Sequence, residues 1–160
     1  MTIEAISPGD EAAVLALNNE HAAELSWLEP ERLSHLIGQA FHARRVGSLD
    51  GFILAFDQTA DYDSPNFVWF RERYPRFVYV DRVAVAAHAR GRGIARRFYE
   101  NLFAAARMAG HEVVTCEVNL DPPNPGSDAF HAALGFFEVG SASLGDGTKT
   151  VRYFERSLKD

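Results

Sequence analysis

The chain has 160 residues, 47% hydrophobic and 24% charged, with a net charge of −6 and a single cysteine, Cys116. That is the size of one ordinary domain and the balance of a globular chain rather than a disordered one. The acidic balance argues against a general binder of nucleic acid or anionic membranes, and one thiol excludes a disulfide framework or a thiolate metal cluster. No apolar run approaches the ~20 residues that cross a bilayer. The opening segment, residues 1–10, carries neither a basic stretch nor an apolar signal run, so a single cytoplasmic domain over 1–160 is expected.

Thr2 to Ser7 alternates apolar and polar residues, as a short strand does, and Ser7-Pro8-Gly9-Asp10 breaks it and caps a helix. That helix runs from Glu11 to about Glu24. A second starts near Pro30 and carries Leu33, Leu36, Ile37 and Ala40 at helical spacing. Residues 43–48 and 51–57 form a hairpin whose turn signal is Asp50-Gly51. Residues 58–75 are less regular and predict a loop with one helical turn over a pocket. Its aromatics Phe67, Trp69, Phe70 and Tyr74 either wall a site or close the core.

Phe77 to Ala86 is rich in valine and aromatics and predicts a strand. Residues 93–109 predict an amphipathic helix that Gly110 ends, and residues 111–119 another strand. A Pro/Asn/Gly-rich loop (121–126) leads to a short helix over 127–134, and strands over 136–143 and 148–157 close the chain around Gly145-Asp146-Gly147. The order β-α-α-β-β-β-α-β-α-β-β implies an α/β (α+β) fold: one mixed sheet with helices on both faces.

The most informative segment is Val83-Ala84-Val85-Ala86-Ala87-His88-Ala89-Arg90-Gly91-Arg92-Gly93-Ile94-Ala95, a strand that enters a glycine-containing loop and opens a helix. The first N–H groups of a helix have no internal partner, and the helix dipole places positive charge there, so a phosphate fits. Gly91 and Gly93 let the backbone approach closely, Ala95 keeps the first turn slim, and Arg90, Arg92, Arg96 and Arg97 add positive charge in an acidic chain. No Gly-Lys-Ser/Thr follows and no third glycine completes GxGxxG, so neither nucleotide motif is present.

At this loop the sequence resembles the GNAT superfamily of N-acetyltransferases, whose mark is Gln/Arg-x-x-Gly-x-Gly/Ala after a strand. Arg90-Gly91-Arg92-Gly93-Ile94-Ala95 matches it in full. Asn124-Pro125-Gly126-Ser127-Asp128-Ala129-Phe130-His131-Ala132-Ala133-Leu134-Gly135-Phe136 is similar to the family's second conserved stretch, at the expected distance. The resemblance implies a mostly antiparallel sheet of about seven strands. It also implies that acetyl-CoA lies between two splayed strands. Val83, Ala84 and Val85 would bond its pantetheine arm, the amides from Gly91 to Arg96 would hold its pyrophosphate, and Asn124 and Ser127 would contact it near the following helix. A backbone N–H near Val85 would meet the oxyanion of the transfer.

Direct transfer to an amine needs a base for the ammonium and a proton for the thiolate. Glu117 is the first candidate base and aligns with a glutamate that serves so in some members. Asp81 is the second, placed by strand alternation on the face of Tyr79, Val83 and Val85. Many relatives carry a tyrosine seven residues after the asparagine. His131 stands there instead and is the candidate acid, with Tyr99, Tyr79 or water as other donors. Cys116, one strand position from Glu117, belongs in the core. The six histidines show no metal-ligand spacing, so no metal is expected. The expected partners are acetyl-CoA and an amine acceptor, without nucleic acid or membrane; the resemblance makes a homodimer a common arrangement and the sequence leaves the oligomeric state open. A non-catalytic acyl-CoA sensor and a nucleotide-phosphate binder are the alternatives.

Overall fold

Thirteen helices and strands organise the computed structural model, which describes residues 2–121, 125–145 and 147–159. In chain order they are β1 (Ile3–Ala5), α1 (Glu11–Glu20), α2 (Ala22–Leu25), α3 (Pro30–Gln39), β2 (His42–Val46), β3 (Gly51–Asp57) and α4 (Pro65–Arg71). There follow β4 (Val78–Val85), α5 (Ile94–Met108), β5 (Val113–Asp121), α6 (Pro125–Ala133), β6 (Phe137–Leu144) and β7 (Lys149–Ser157). The strands form one sheet in the order β1-β2-β3-β4-β5-β7-β6, antiparallel throughout except for the β4–β5 contact. That parallel contact follows from the α5 crossover, since parallel neighbours need a long connection.

Two apolar layers cover the two faces. On one, Val14 and Leu17 of α1, Leu33 and Leu36 of α3, and Phe67 and Phe70 of α4 pack on Phe52, Leu54, Phe56 and Tyr79 of the sheet. On the other, Ile94, Phe98 and Leu102 of α5, with Leu134 and Phe136 after α6, pack on Ile53, Ala55, Val78, Val80 and Val114. The alternation of β3 between the two sets is the strand period of two. Each buried Phe or Leu contributes roughly 1.5–3 kcal/mol relative to an exposed one.

Several elements depart from the sequence reading. The first helix is two, because His21 (φ −109°, ψ 27°) interrupts it. The hairpin does not turn on Asp50-Gly51. Gly47 and Leu49 take positive φ instead, Asp50 N–H donates to the Val46 carbonyl at 3.0 Å, and Gly51 already belongs to β3. A Cβ on Gly51 would sit 2.8 Å from the Ala84 carbonyl, so glycine is required there by strand packing and not by the turn. The segment 58–75 holds the seven-residue helix α4. Phe67 and Phe70 are wholly buried and Trp69 stacks on Tyr153 at 4.3 Å, so these rings close the core.

On β2, His42 is buried with its Nε2 2.9 Å from Asn101 Oδ1. Burial first, then the charge of Arg44, lower its pKa from 6.5 to about 4, against the hydrogen bond to Asn101. The folded state therefore holds the ring neutral. Its contribution is complete above pH 6.5 and is lost as the pH falls toward 4. The expected loss from this ring between pH 7 and pH 5 is about 2 kcal/mol. Urea unfolding at both pH values checks it: a His42→Gln variant, whose side chain cannot charge, should show a smaller difference than the unaltered chain.

Candidate active site

β4 and β5 meet through two parallel rungs, Val78 with Val114 and Tyr79 with Thr115, and the Thr115 hydroxyl donates to the Val78 carbonyl at 2.9 Å. Beyond these rungs β4 stays with β3 as far as Val85, while β5 stays with β7 as far as Asp121. The strands part at a bulge. Leu54 pairs with Arg82 and Ala55 with Val80, so Asp81 is an extra residue on β4. A bulge bends its strand and sharpens the local twist. A cleft of about 280 Å³ fills the gap, lined on one side by residues 79–83 and on the other by residues 116–119.

The same bulge overturns the expectation that Asp81 shares a face with Tyr79, Val83 and Val85. Tyr79 and Ala84 pack with the α1/α3/α4 layer, and Val83 and Val85 pack against the α5 layer. Both oxygens of Asp81 are engaged. Tyr62 donates its hydroxyl to Oδ1 at 2.6 Å, and Arg82 Nε donates to Oδ2 at 2.6 Å. Arg82 Nη1 also donates to Asn18 Oδ1 at 2.9 Å, and Asn18 Nδ2 donates to the Ser26 carbonyl at 2.9 Å. This buried chain ties the segment after α1 to the bulge and occupies both Asp81 oxygens.

Glu117 has the opposite surroundings. It is half-buried on β5 and lines the cleft, and its Oε2 accepts a 2.5 Å hydrogen bond from the Tyr79 hydroxyl. Burial raises its pKa to about 8 and the nearby Asp81 charge adds to this, while the Tyr79 hydrogen bond and Lys149 oppose it. A carboxyl that titrates near neutrality in a cleft is suited to general acid–base work. Cys116, beside it, packs into the α5 layer and burial pushes its thiol up, as expected of a core residue.

His131 of α6 reaches the cleft wall beside Tyr99 of α5. Its Nδ1 lies 2.7 Å from the Ser127 carbonyl, and its Nε2 lies 3.1 Å from the Tyr99 hydroxyl. A carbonyl only accepts, so Nδ1 carries the proton and Nε2 is the acceptor. Burial lowers the ring's pKa, against the Ser127 contact. The neutral ring thus presents a lone pair, not a proton, to its neighbour, contrary to the expectation of an acid.

At the mouth of the gap, Gly91 (φ 79°) and Gly93 (φ 73°) hold the left-handed backbone that glycine favours, and Gly93 caps α5. A Cβ on either would meet nothing within 4 Å, so the concavity is open. Among the described residues no protein acceptor reaches the main-chain N–H groups of residues 91–96. Val85, Ala89, Arg90, Gly91, Gly93, Ile94, Ala95, Arg96 and Phe130 line a hollow of about 210 Å³ there. The cradle is braced from outside. The Asp50 carbonyl accepts the Ala86 N–H at 2.8 Å, Asp50 Oδ1 lies 3.0 Å from His88 Nε2, and Arg90 Nη2 donates to His21 Nε2 at 2.9 Å. Arg92 reaches back toward the His88 carbonyl at 3.5 Å, and Arg96 pairs with Glu100 at 3.1 Å in the open. An anion of diphosphate size fits this set of donors and charges.

Val83 lines the cleft and Val85 the hollow, so Val83, Ala84 and Val85 join the two. Ser127 also lines the cleft, and Asn124 lies outside the described residues. Asp50, Tyr62, Asn18 and Phe130 were not singled out by sequence reasoning, although Asp50 lay inside a turn signal and Phe130 inside the stretch similar to the family's second conserved segment.

Three comparisons bear on this geometry. An L-2,4-diaminobutyric acid acetyltransferase of Wolinella succinogenes is 36% identical over 86 residues, 50% of each chain, so the chain spans about half the length of that relative. The structure of a ribosomal-protein-alanine N-acetyltransferase from Brucella melitensis superposes with a TM-score of 0.74 at 20% identity, covering 98% of this chain and 99% of its own. The structure of yncA, described as a putative acetyltransferase, from Salmonella typhimurium with its cofactor acetyl-CoA gives 0.72 at 18% identity, covering 99% and 94%. Residues 14–136, well over half of the chain, match the model of the Acetyltransferase (GNAT) family, and with the parted strands and the amide cradle in place the chain belongs to that family.

Proposed function

We propose that the protein transfers an acetyl group from acetyl-CoA directly to a primary amine of a small molecule or peptide. The observation that carries this reading is the cleft between β4 and β5, which has Glu117 in its wall and lies two β4 positions (Val83 to Val85) from the hollow beside residues 91–96. Acetyl-CoA would supply an activated thioester. Its diphosphate would take the N–H groups of residues 91–96 with Arg90, Arg92 and Arg96 around them. Its pantetheine arm would run along the unpaired edge of Val83, Ala84 and Val85, with Asn124 and Ser127 on the other side.

Glu117 takes the proton from the incoming ammonium, and a β4 amide near Val85 meets the charge that develops on the carbonyl oxygen. Asp81, bound on both oxygens, shapes the acceptor end and is not the base. A carboxyl raised to about 8 in the cleft wall favours this reading over an acyl-CoA sensor, which needs no base. The amine acceptor is consistent with the diaminobutyrate relative, although the 50% overlap leaves that acceptor a guide to size and charge only. In the same reading residues 1–160 act as one catalytic domain, cytoplasmic and dimeric, with no nucleic-acid or membrane partner. No helix among the described residues is long and apolar enough to cross a membrane.

Thiol release from acetyl-CoA with a panel of small amines and peptide N-termini tests the activity. At least one amine should be acetylated, and binding of CoA with no release for any amine would favour the sensor. Glu117→Gln should lower kcat about 10²–10⁴-fold with little change in the KM for acetyl-CoA. The base works when ionised, so the rate of the unaltered chain should fall as the pH drops below about 8. Separately, Gly93→Val places a branched side chain at φ 73° and should weaken CoA binding at least tenfold by calorimetry, while circular dichroism stays unchanged.

A further inference from the structure

We propose that the acceptor amine also carries a carboxylate, as an amino acid does, and that Lys149 of β7 holds that carboxylate in the cleft. The inference rests on the acetyl-transfer reading and adds to it the chemical class of the acceptor. Among the described residues that line the cleft, Arg82 and Lys149 carry a fixed positive charge. Arg82 is fully engaged: its Nε donates to Asp81 Oδ2 at 2.6 Å and its Nη1 to Asn18 Oδ1 at 2.9 Å. Lys149 is half-buried, and among the described residues no ion pair or hydrogen bond holds its ammonium. A cation in a cleft wall with no partner of its own suits an anionic group brought by a ligand.

The sheet register puts that cation on the side of Glu117 and away from the cradle. Glu117 pairs with Tyr153 of β7 and Asn119 with Val151. Lys149, Val151 and Tyr153 alternate along β7 without a bulge, opposite Leu144, Ala142 and Gly140 of β6, so the three share a face. Val151 and Tyr153 pack in the layer of α1, α3 and α4, whereas the hollow for the diphosphate lies beside Ile94 in the α5 layer. The charge of Lys149 favours the ionised form of Glu117, so the two groups act on one another.

Two amides in the same wall complete the set of donors. The Tyr153 hydroxyl donates to Asn66 Oδ1 at 2.8 Å, which fixes the amide and leaves its Nδ2 group without an acceptor among the described residues. The Asn119 side chain also lines the cleft and has no partner among them. A carboxylate accepts several such bonds at once. Glu117 and Glu24 line the cleft without an ion pair among the described residues and suit the ammonium end of the acceptor. Unpaired charges of both signs thus fit a molecule that carries both. A simple diamine would set its second ammonium against Lys149, a repulsion that a carboxylate turns into attraction.

Matched acceptors test this by thiol release from acetyl-CoA: alanine against ethylamine, and the diamino acids with one to four side-chain methylenes, each against the diamine left by removing its carboxyl group. In at least one pair the carboxylated member should have a kcat/KM at least about tenfold higher. Lys149→Met should bring that ratio to within about threefold of one, chiefly through the KM of the carboxylated acceptor, and Lys149→Arg should keep most of it. Loss of Lys149 also shifts the titration of Glu117, but alike for both members, so the ratio cancels it. Diamines used as well as diamino acids, a ratio unmoved in a folded Lys149→Met variant, or acetylation confined to peptide N-termini overturns the assignment. Weaker CoA binding by Lys149→Met with the ratio intact makes Lys149 a cofactor contact and overturns it too. Bound CoA with no amine or peptide acetylated overturns the acetyl-transfer reading itself, and this proposal with it.

Discussion

Two parallel rungs between β4 and β5, followed by a bulge, set the terms for everything else in the site. A fully zipped pair would leave no room between the strands and no unpaired main-chain edge. A pair with no rungs would leave the two halves of the sheet unconnected. Thr115 fastens the last rung to the Val78 carbonyl and Asp81 then throws β4 off register, so the sheet is continuous at one end and open at the other. The open end coincides with the start of α5. The cleft reaches Val83 and the hollow beside α5 begins at Val85, so unpaired strand edge and unpaired helix amides follow one another along the chain, and the proposed long ligand with a diphosphate would satisfy both.

Polar groups in that gap are sorted by their neighbours. Asp81 and Glu117 are both carboxylates on the inner walls, yet Asp81 is paired with Arg82 and Tyr62 while Glu117 has one tyrosine hydroxyl and no ion pair among the described residues. Burial penalises the charged form of Glu117, whereas both oxygens of Asp81 are taken up by hydrogen bonds. The pairing of His131 with Tyr99 follows the same logic. A single backbone carbonyl, that of Ser127, fixes which nitrogen of the neutral His131 ring carries the proton.

The sequence made some of this legible and hid the rest for definable reasons. The cradle could be proposed from the sequence because glycines at 91 and 93, arginines around them and a strand before them are local signals, and both glycines take positive φ in the structure. Element order and the layers on both faces followed from periodicity, and most boundaries moved by only a few residues. The bulge at Asp81 has no local signal, since it is a mismatch between two strands, and it defeated the alternation argument for that residue. The hydrogen bond from Tyr79 to Glu117 spans 38 positions and the one between Tyr99 and His131 spans 32, so neither could be seen along the chain. The aromatics of α4 carried an even balance of site and core because composition does not say which way a short helix faces. Packing against Phe77, Tyr79 and Tyr153 decided it.

The central claim is that one ligand occupies the parted strands and the helix amides together. A crystal structure of the chain with CoA measures this most directly. The account predicts the diphosphate on the N–H groups of residues 91–96 and the pantetheine arm along residues 83–85, with its sulfur beside Glu117 and Tyr99. A diphosphate bound away from that cradle, or a pantetheine arm outside the gap between β4 and β5, would contradict it.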